Sequence, residues 1–260
     1  MEELFVIKIG SILDQEDQLE VFLSKLPELK SKFLLVHGGG KRATKLASQM
    51  GLETTMLEGR RVTDDAMLEV VTMTYAGAIN KSLVAKLQSK GINALGMSGA
   101  DGNIVSASKR PIKEGKDYGW AGDVQAVNAQ SLKTLIEVGF VPTLCAITHN
   151  NQGQLLNTNA DTIASEVAVA LAAQYRVNLV YLFDQPGVML DLEDPNSLIK
   201  RLDKIAYAQR KEEGSIFEGM IPKLDNAFAT ISKGVNNVRL GAAANFGDIA
   251  NGSGQFTLIE

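Results

Sequence analysis

A single cysteine, two histidines and one tryptophan among 260 residues remove several chemistries at the outset. One thiol builds neither a disulfide framework nor a thiolate metal cluster. Cys145 lies in the apolar run 140–147, where a packed core thiol is expected. Excess positive charge is missing too. Lys and Arg number 26 against 30 Asp and Glu, a net charge of −4 that argues against a nucleic-acid surface. A pocket for a small anion needs only a few placed cations and stays open. No apolar stretch approaches the ~20 residues that cross a bilayer. The opening Met-Glu-Glu lacks the basic segment of a secretory leader, so a soluble, cytoplasmic chain is expected. The phosphate-loop pattern Gly-x-x-x-x-Gly-Lys-[Ser/Thr] occurs nowhere, which excludes an ordinary P-loop enzyme.

What is present reads as a globular chain with ordinary usage, 45% hydrophobic and 22% charged. Short aliphatic and β-branched runs alternate with segments of helical period, the pattern of an α/β sheet with crossovers. Strands are predicted at 4–10, 33–37, 140–147, 178–184, 236–241 and 255–259. Helices are predicted at about 17–26, up to Met50, from Thr63 to about Lys90, then near 129–138, 160–174, 203–211 and 222–234. The strand runs are apolar throughout rather than alternating, as in a sheet covered on both faces. Residues 93–128 differ: three short runs separated by Gly, Asp and Lys read as hairpins inserted on the sheet. Together these predict an open, mostly parallel β-sheet sandwiched between helices, with inserted β-hairpins.

The strongest local feature is Val36-His37-Gly38-Gly39-Gly40 between a strand and a helix. Glycines there let backbone N–H groups approach an anion at a helix N-terminus, although a tight turn needing positive φ also calls for glycine. A dinucleotide fingerprint is formally matched by Gly38-x-Gly40-x-x-Ala43 with Glu58. Lys41 and Arg42 crowd that turn, however, and Glu58 does not end a second strand. An esterase oxyanion hole would need a nucleophile elbow, and Gly96-Met-Ser98-Gly-Ala100 lacks the final glycine. Lys8, within Phe-Val-Ile-Lys-Ile-Gly, costs desolvation unless it reaches the carboxyl edge of the sheet, where ligands bind. An edge-strand lysine would look the same.

Seven pieces occur together: Lys8-Ile-Gly10-Ser11, Val36-His-Gly-Gly-Gly40, Gly59-Arg-Arg61-Val-Thr63, Tyr118-Gly-Trp-Ala-Gly-Asp-Val124, Gln154-Leu-Leu-Asn157-Thr-Asn159-Ala-Asp161, Asp184-Gln-Pro-Gly187-Val and Gly219-Met-Ile-Pro-Lys223. In this order the set resembles the amino acid kinase family, on the branch acting on N-acylated glutamate. The resemblance implies ATP-dependent phosphorylation of the γ-carboxylate of an N-acyl-glutamate, acetyl or succinyl, in arginine biosynthesis. It implies an acceptor-binding lobe over about 1–175 and a nucleotide-binding lobe over about 176–260 of a single domain. Lys8 and Lys223 would flank the transferring phosphoryl group, with Asp161 orienting them. Asp161 would also suit the dipole of a first helical turn. Gly38, Gly39 and Gly40 would hold acceptor and phosphate, Arg61 the substrate's α-carboxylate, and Asn157 and Asn159 the acyl amide or carboxylates. Arg61 read alone also fits a solvated surface arginine. Gly10, Ser11, Asp184, Gly187, Val188, Met189, Ser215 and Phe217 would cradle the nucleotide. Mg²⁺ would arrive on the ATP phosphates, with no metal site on the protein.

Three departures accompany the resemblance, one of them the stretch Ala242–Ser253, which does not read like the usual ending of the family. Ser11 replaces the second glycine of a Lys-x-Gly-Gly start, and Glu218 precedes Gly-Met where relatives carry another glycine. Trp120 is a candidate for the acyl pocket or for the core. The chain begins almost at its first strand, which implies a homodimer not inhibited by arginine. Its face is expected on the helix near 64–89, at Met67, Leu68, Val71, Met73 and Tyr75. The alternatives are a kinase for a homologue such as a modified aminoadipate, and a non-catalytic nucleotide or amino-acid sensor of the same fold.

Overall fold

The computed structural model describes residues 1–191, 193–216 and 218–260. The chain packs as two units, one of Met1–Phe33 with Val167–Glu260 and the other of Leu34–Glu166.

In the first unit Glu3–Ile9 runs parallel to Arg176–Phe183, which runs parallel to Asn237–Ala242. Thr257–Ile259 pairs antiparallel with Asn237–Ala242 and parallel with Arg201–Leu202. Successive residues of a strand face opposite sides of the sheet. Leu4, Phe5, Val6 and Ile7 are all buried, so both faces are covered. This is why the run carries no alternation. Helices Glu16–Lys25, Lys204–Glu212, Ile221–Ser232 and Phe246–Asn251 belong to this unit. Phe22 meets Phe246 edge to face, with ring centroids 5.0 Å apart.

In the second unit Leu35–His37 and Ala94–Met97 both pair in parallel with the strand Val141–Cys145. The run from Asn93 to Met97 is therefore a strand of the main sheet, not part of an inserted hairpin. Four residues interrupted by Gly96 carry too little periodicity to distinguish the two. Gly96 is where Asn80 packs too closely for any side chain to fit. The antiparallel pair Val105–Lys109 and Ala121–Val127 is the inserted hairpin. With Ile147–His149 and Leu155–Thr158 it closes into a four-stranded barrel. Cys145 is buried, and burial pushes its thiol up to about 12, consistent with a core role.

The helical stretch after Thr63 starts on Asp64, whose Oδ1 accepts from Met67 N at 2.8 Å. It runs to Ser89 through a π-helical segment, Met73–Ile79. Met67, Leu68, Val71 and Tyr75 face the core at 3%, 8%, 0% and 5% exposure. Of the five side chains expected on a dimer face, only Met73 is exposed, at 47%. The helix is apolar over more than one stripe, and sequence alone does not say which stripe meets the sheet.

Candidate active site

The glycine turn begins as the strand ends at His37. Gly39 adopts φ 153°, and Gly40 opens the helix Gly40–Gln49. The chain beside Gly39 leaves no room for a Cβ, which would overlap Ile79 Cδ1 and lie 3.0 Å from Tyr75 Cδ1. Both of those side chains come from the π-helical segment, which is a frequent device at functional positions. A Cβ on Gly38 would lie 3.7 Å from Ala160 Cβ, so the turn abuts the start of the helix Ala160–Leu171. Two helix N-termini thus adjoin one turn, a setting that favours an anion.

Arg61 is part of this construction. Its Nη2 donates to Gly40 O at 2.9 Å and Thr44 Oγ1 at 2.7 Å, and its Nη1 donates to Thr54 Oγ1 at 3.2 Å. The side chain is half-buried and held at both nitrogens, not splayed into solvent. Asn157 Nδ2 donates to Thr63 Oγ1 at 2.9 Å, two residues beyond Arg61. Thr63 itself is fully buried; its N–H donates to Tyr118 O at 3.1 Å, and its carbonyl accepts from Trp120 N at 2.6 Å. Gly119, at φ 63°, makes that close approach possible. Trp120 is half-buried: Nε1 donates to Asp65 Oδ1 at 2.6 Å, and Lys109 Nζ stands 4.7 Å over the ring. Asn159 is exposed, and its Oδ1 accepts from Thr162 N at 3.0 Å, so it caps the helix that carries Asp161 in its first turn. The second unit therefore ties Arg61 to the glycine turn and sets the start of the helix bearing Asp161 against Gly38, while Asn157 is held by Thr63.

The first unit brings Lys8, Lys223 and Asp184 to the carboxyl edge of its sheet. Lys8 lies opposite Tyr181 in register, and its Nζ lies 3.1 Å from where a Gly10 Cβ would stand. A side chain at Gly10 would press on the amine. Lys223, in the first turn of Ile221–Ser232, places Nζ 5.9 Å over the Phe183 ring. Asp184 follows that strand. Its Oδ1 accepts from Ser11 Oγ at 2.7 Å and Gln15 Nε2 at 2.9 Å, so the Ser11 hydroxyl ties the two βα loops together. Val188 and Met189 are buried, so their side chains pack inward. Val188 N donates to Thr257 Oγ1 at 2.8 Å, and Gly187 sits against the same threonine. Ser215 Oγ donates to Arg210 O at 3.1 Å behind the helix Lys204–Glu212. Phe217 lies outside the described residues.

The profile of the amino acid kinase family matches residues 3–241. The chain belongs to the amino acid kinase family. It is 47% identical over 252 residues to the acetylglutamate kinase of Cytophaga hutchinsonii, covering 96% of each chain. To the acetylglutamate kinase of Parabacteroides distasonis it is 49% identical over 239 residues, covering 92% of this chain and 93% of the other. N-acetylglutamate synthase from Neisseria gonorrhoeae shares the fold, with TM-score 0.82 and 21% identity over 99% of this chain and 59% of that one.

Amino acid kinases use ATP, and Mg²⁺ is the ion usual for such enzymes. Among the described residues no three His, Cys, Asp or Glu side chains gather as a metal cage. Asp184 is already engaged by Ser11 and Gln15. Mg²⁺ binds through one or two carboxylates together with substrate phosphates, so it needs no such three-residue cage.

Sequence reasoning passed over the residues that hold the site residues in place. Thr63 and Gly119 fix Asn157 and the segment bearing Trp120, and Asn80 stands behind His37. Thr63 and Gly119 lie inside quoted motifs, so the signal was present without its reason. Asn80 sits unmarked in a helix.

Proposed function

We propose that this chain transfers the γ-phosphoryl group of ATP to the γ-carboxylate of N-acetyl-L-glutamate, forming an acyl phosphate for arginine biosynthesis. What supports this is one hydrogen-bonded construction of glycine turn and Arg61, in a chain nearly half identical, end to end, to enzymes named acetylglutamate kinase. In this reading Arg61 pairs with the α-carboxylate of the acceptor, a planar fork that lysine cannot copy. The Gly39 and Gly40 amides hold the γ-carboxylate against the phosphoryl group, and Asn157 hydrogen-bonds the acyl amide. Most of the residues that handle the acceptor lie within the first 175, and most of those that handle the nucleotide lie from about 176 onward, Gly10 and Ser11 apart.

A carboxylate with a pKa of ~4.3 is ionised at neutral pH, so no general base is needed. One γ-carboxylate oxygen forms a bond to Pγ as the bond from Pγ to the bridging oxygen breaks. The electron pair leaves with ADP, and no proton moves. Lys8 and Lys223 offset charge on the phosphoryl oxygens, and Asp161 orients the two amines; such transfer depends on positioning and electrostatics. Mg²⁺, when bound with ATP, neutralises phosphate charge. The working form is a cytoplasmic homodimer, which its mass in solution tests.

The test is ADP release with Mg-ATP alone, then with N-acetylglutamate, N-succinylglutamate or glutamate added. Release dependent on N-acetylglutamate is expected. Release only with a longer homologue would move the reading to that acceptor, and ATP binding without turnover would make the chain a sensor.

A further inference from the structure

His37 closes its strand with a fully buried ring. Nδ1 lies 2.9 Å from Gly38 O, and Nε2 lies 2.9 Å from Asn80 Nδ2. The orientation of the Asn80 amide follows from its other contacts. Nδ2 also donates to Thr143 O at 2.9 Å, and Lys81 Nζ donates to Asn80 Oδ1 at 3.1 Å while donating to Gly96 O at 3.0 Å. An amide nitrogen only donates, so Nε2 accepts, and the proton of the neutral ring is on Nδ1, donated to Gly38 O. In a trans peptide the C=O and the following N–H point in opposite directions, and the described chain has no cis peptide bond. Holding Gly38 O against the ring therefore turns the Gly39 N–H away from it. A Gly–Gly peptide has no side chain to resist rotation and would otherwise sample both orientations.

We propose that His37 is a positioning residue: with Asn80 it locks the Gly38–Gly39 peptide so that the Gly39 N–H is presented to the reacting carboxylate and phosphoryl group. This rests on the phosphoryl-transfer reading of the turn. Burial, with Lys81 adding to it, keeps the ring neutral at physiological pH and so preserves the acceptor at Nε2.

Two substitutions separate positioning from simple packing. In His37→Asn the amide nitrogen takes the place of Nδ1 and keeps the donor to Gly38 O. In His37→Gln the amide reaches the place of Nε2 and keeps the contact with Asn80. Each loses one of two buried hydrogen bonds, so a purely structural role gives equal losses of Tm and equal turnover. Positioning predicts kcat within about threefold of wild type for H37N and a loss of about 30-fold for H37Q, with KM for ATP unchanged in both. That loss is smaller than the roughly 10²–10³ caused by deleting an oxyanion donor outright. Equal kcat in the two variants overturns the proposal. The ring ¹⁵N shifts of His37 in the ligand-free wild type decide it independently of folding of the variants. Nδ1 protonated and Nε2 bare is expected; the opposite tautomer or an imidazolium overturns the lock. Wild type without acceptor-dependent ADP release would instead refute the functional reading, leaving the ring shifts to judge the lock.

Discussion

Replacing Gly39 with alanine should be among the most damaging single-methyl changes in this chain. The new Cβ would overlap Ile79 Cδ1 and stand 3.0 Å and 3.2 Å from Tyr75 Cδ1 and Cε1. Neither neighbour can retreat, since Ile79 and Tyr75 are 2% and 5% exposed. Overpacking of this kind costs about 1–3 kcal/mol. A φ of 153° adds strain for an L-residue, of about 1–3 kcal/mol. The sum, about 2–6 kcal/mol, is a large share of the ~5–15 kcal/mol that stabilises a typical fold. Urea unfolding followed by the fluorescence of Trp120, the single tryptophan and a member of the same unit, reads the effect directly. Ile79→Val removes Cδ1 and should itself cost about 0.5–1.5 kcal/mol. In the double variant the overlap with Ile79 is relieved while the Tyr75 contacts and the φ strain remain, so the two costs should fall short of additivity by about 1–2 kcal/mol. A Gly39→Ala protein as stable as wild type would refute the packing argument. Strict additivity with Ile79→Val would assign the loss to backbone strain and the Tyr75 contacts, not to Ile79.

Three further outcomes are expected. Lys8→Ala and Lys223→Ala should each lower kcat by roughly 10²-fold or more with little change in KM, measured by coupled ADP release, because the charge they offset develops in transfer. Arg61→Ala should raise KM for the acceptor about 10–150-fold, the equivalent of a charged hydrogen bond of about 1.5–3 kcal/mol, with KM for ATP little moved; unchanged acceptor KM would remove Arg61 from the site. His37 is held neutral by burial with its pKa pushed down to about 4 from 6.5. The unfolded chain therefore binds the extra proton first. Stability is full above pH 6.5 and falls by about 3 kcal/mol as pH drops toward 4, and urea midpoints across that window should flatten in His37→Asn.

The α/β class, the order of most elements and the glycine turn are legible in sequence because each rests on local information. Apolar runs without alternation mark covered strands, Asp64 marks a helix start, and three glycines between strand and helix mark close approach of backbone to something. Arg61 and Lys8 each left a bland reading open, a solvated surface arginine and an edge-strand lysine. The tertiary structure removed Arg61's, because Gly40 O and Thr44 lie far along the chain from it and only folding brings them to the guanidinium. What escaped were features set by neighbours distant in sequence. The π-helical segment sets Tyr75 and Ile79 against Gly39, more than thirty residues away along the chain. The run at 93–97 joins the main sheet because Val141–Cys145 lies beside it, and no property of five residues encodes that pairing. The stripe of the Asp65–Ser89 helix that faces inward is decided by the sheet it lands on, which is why four residues expected on a dimer face are core. That His37 stands directly before the glycines is plain from the sequence. Its partner Asn80, and hence the tautomer that aims the Gly39 N–H, is not, because a hydrogen bond across 43 residues exists only once the chain has folded.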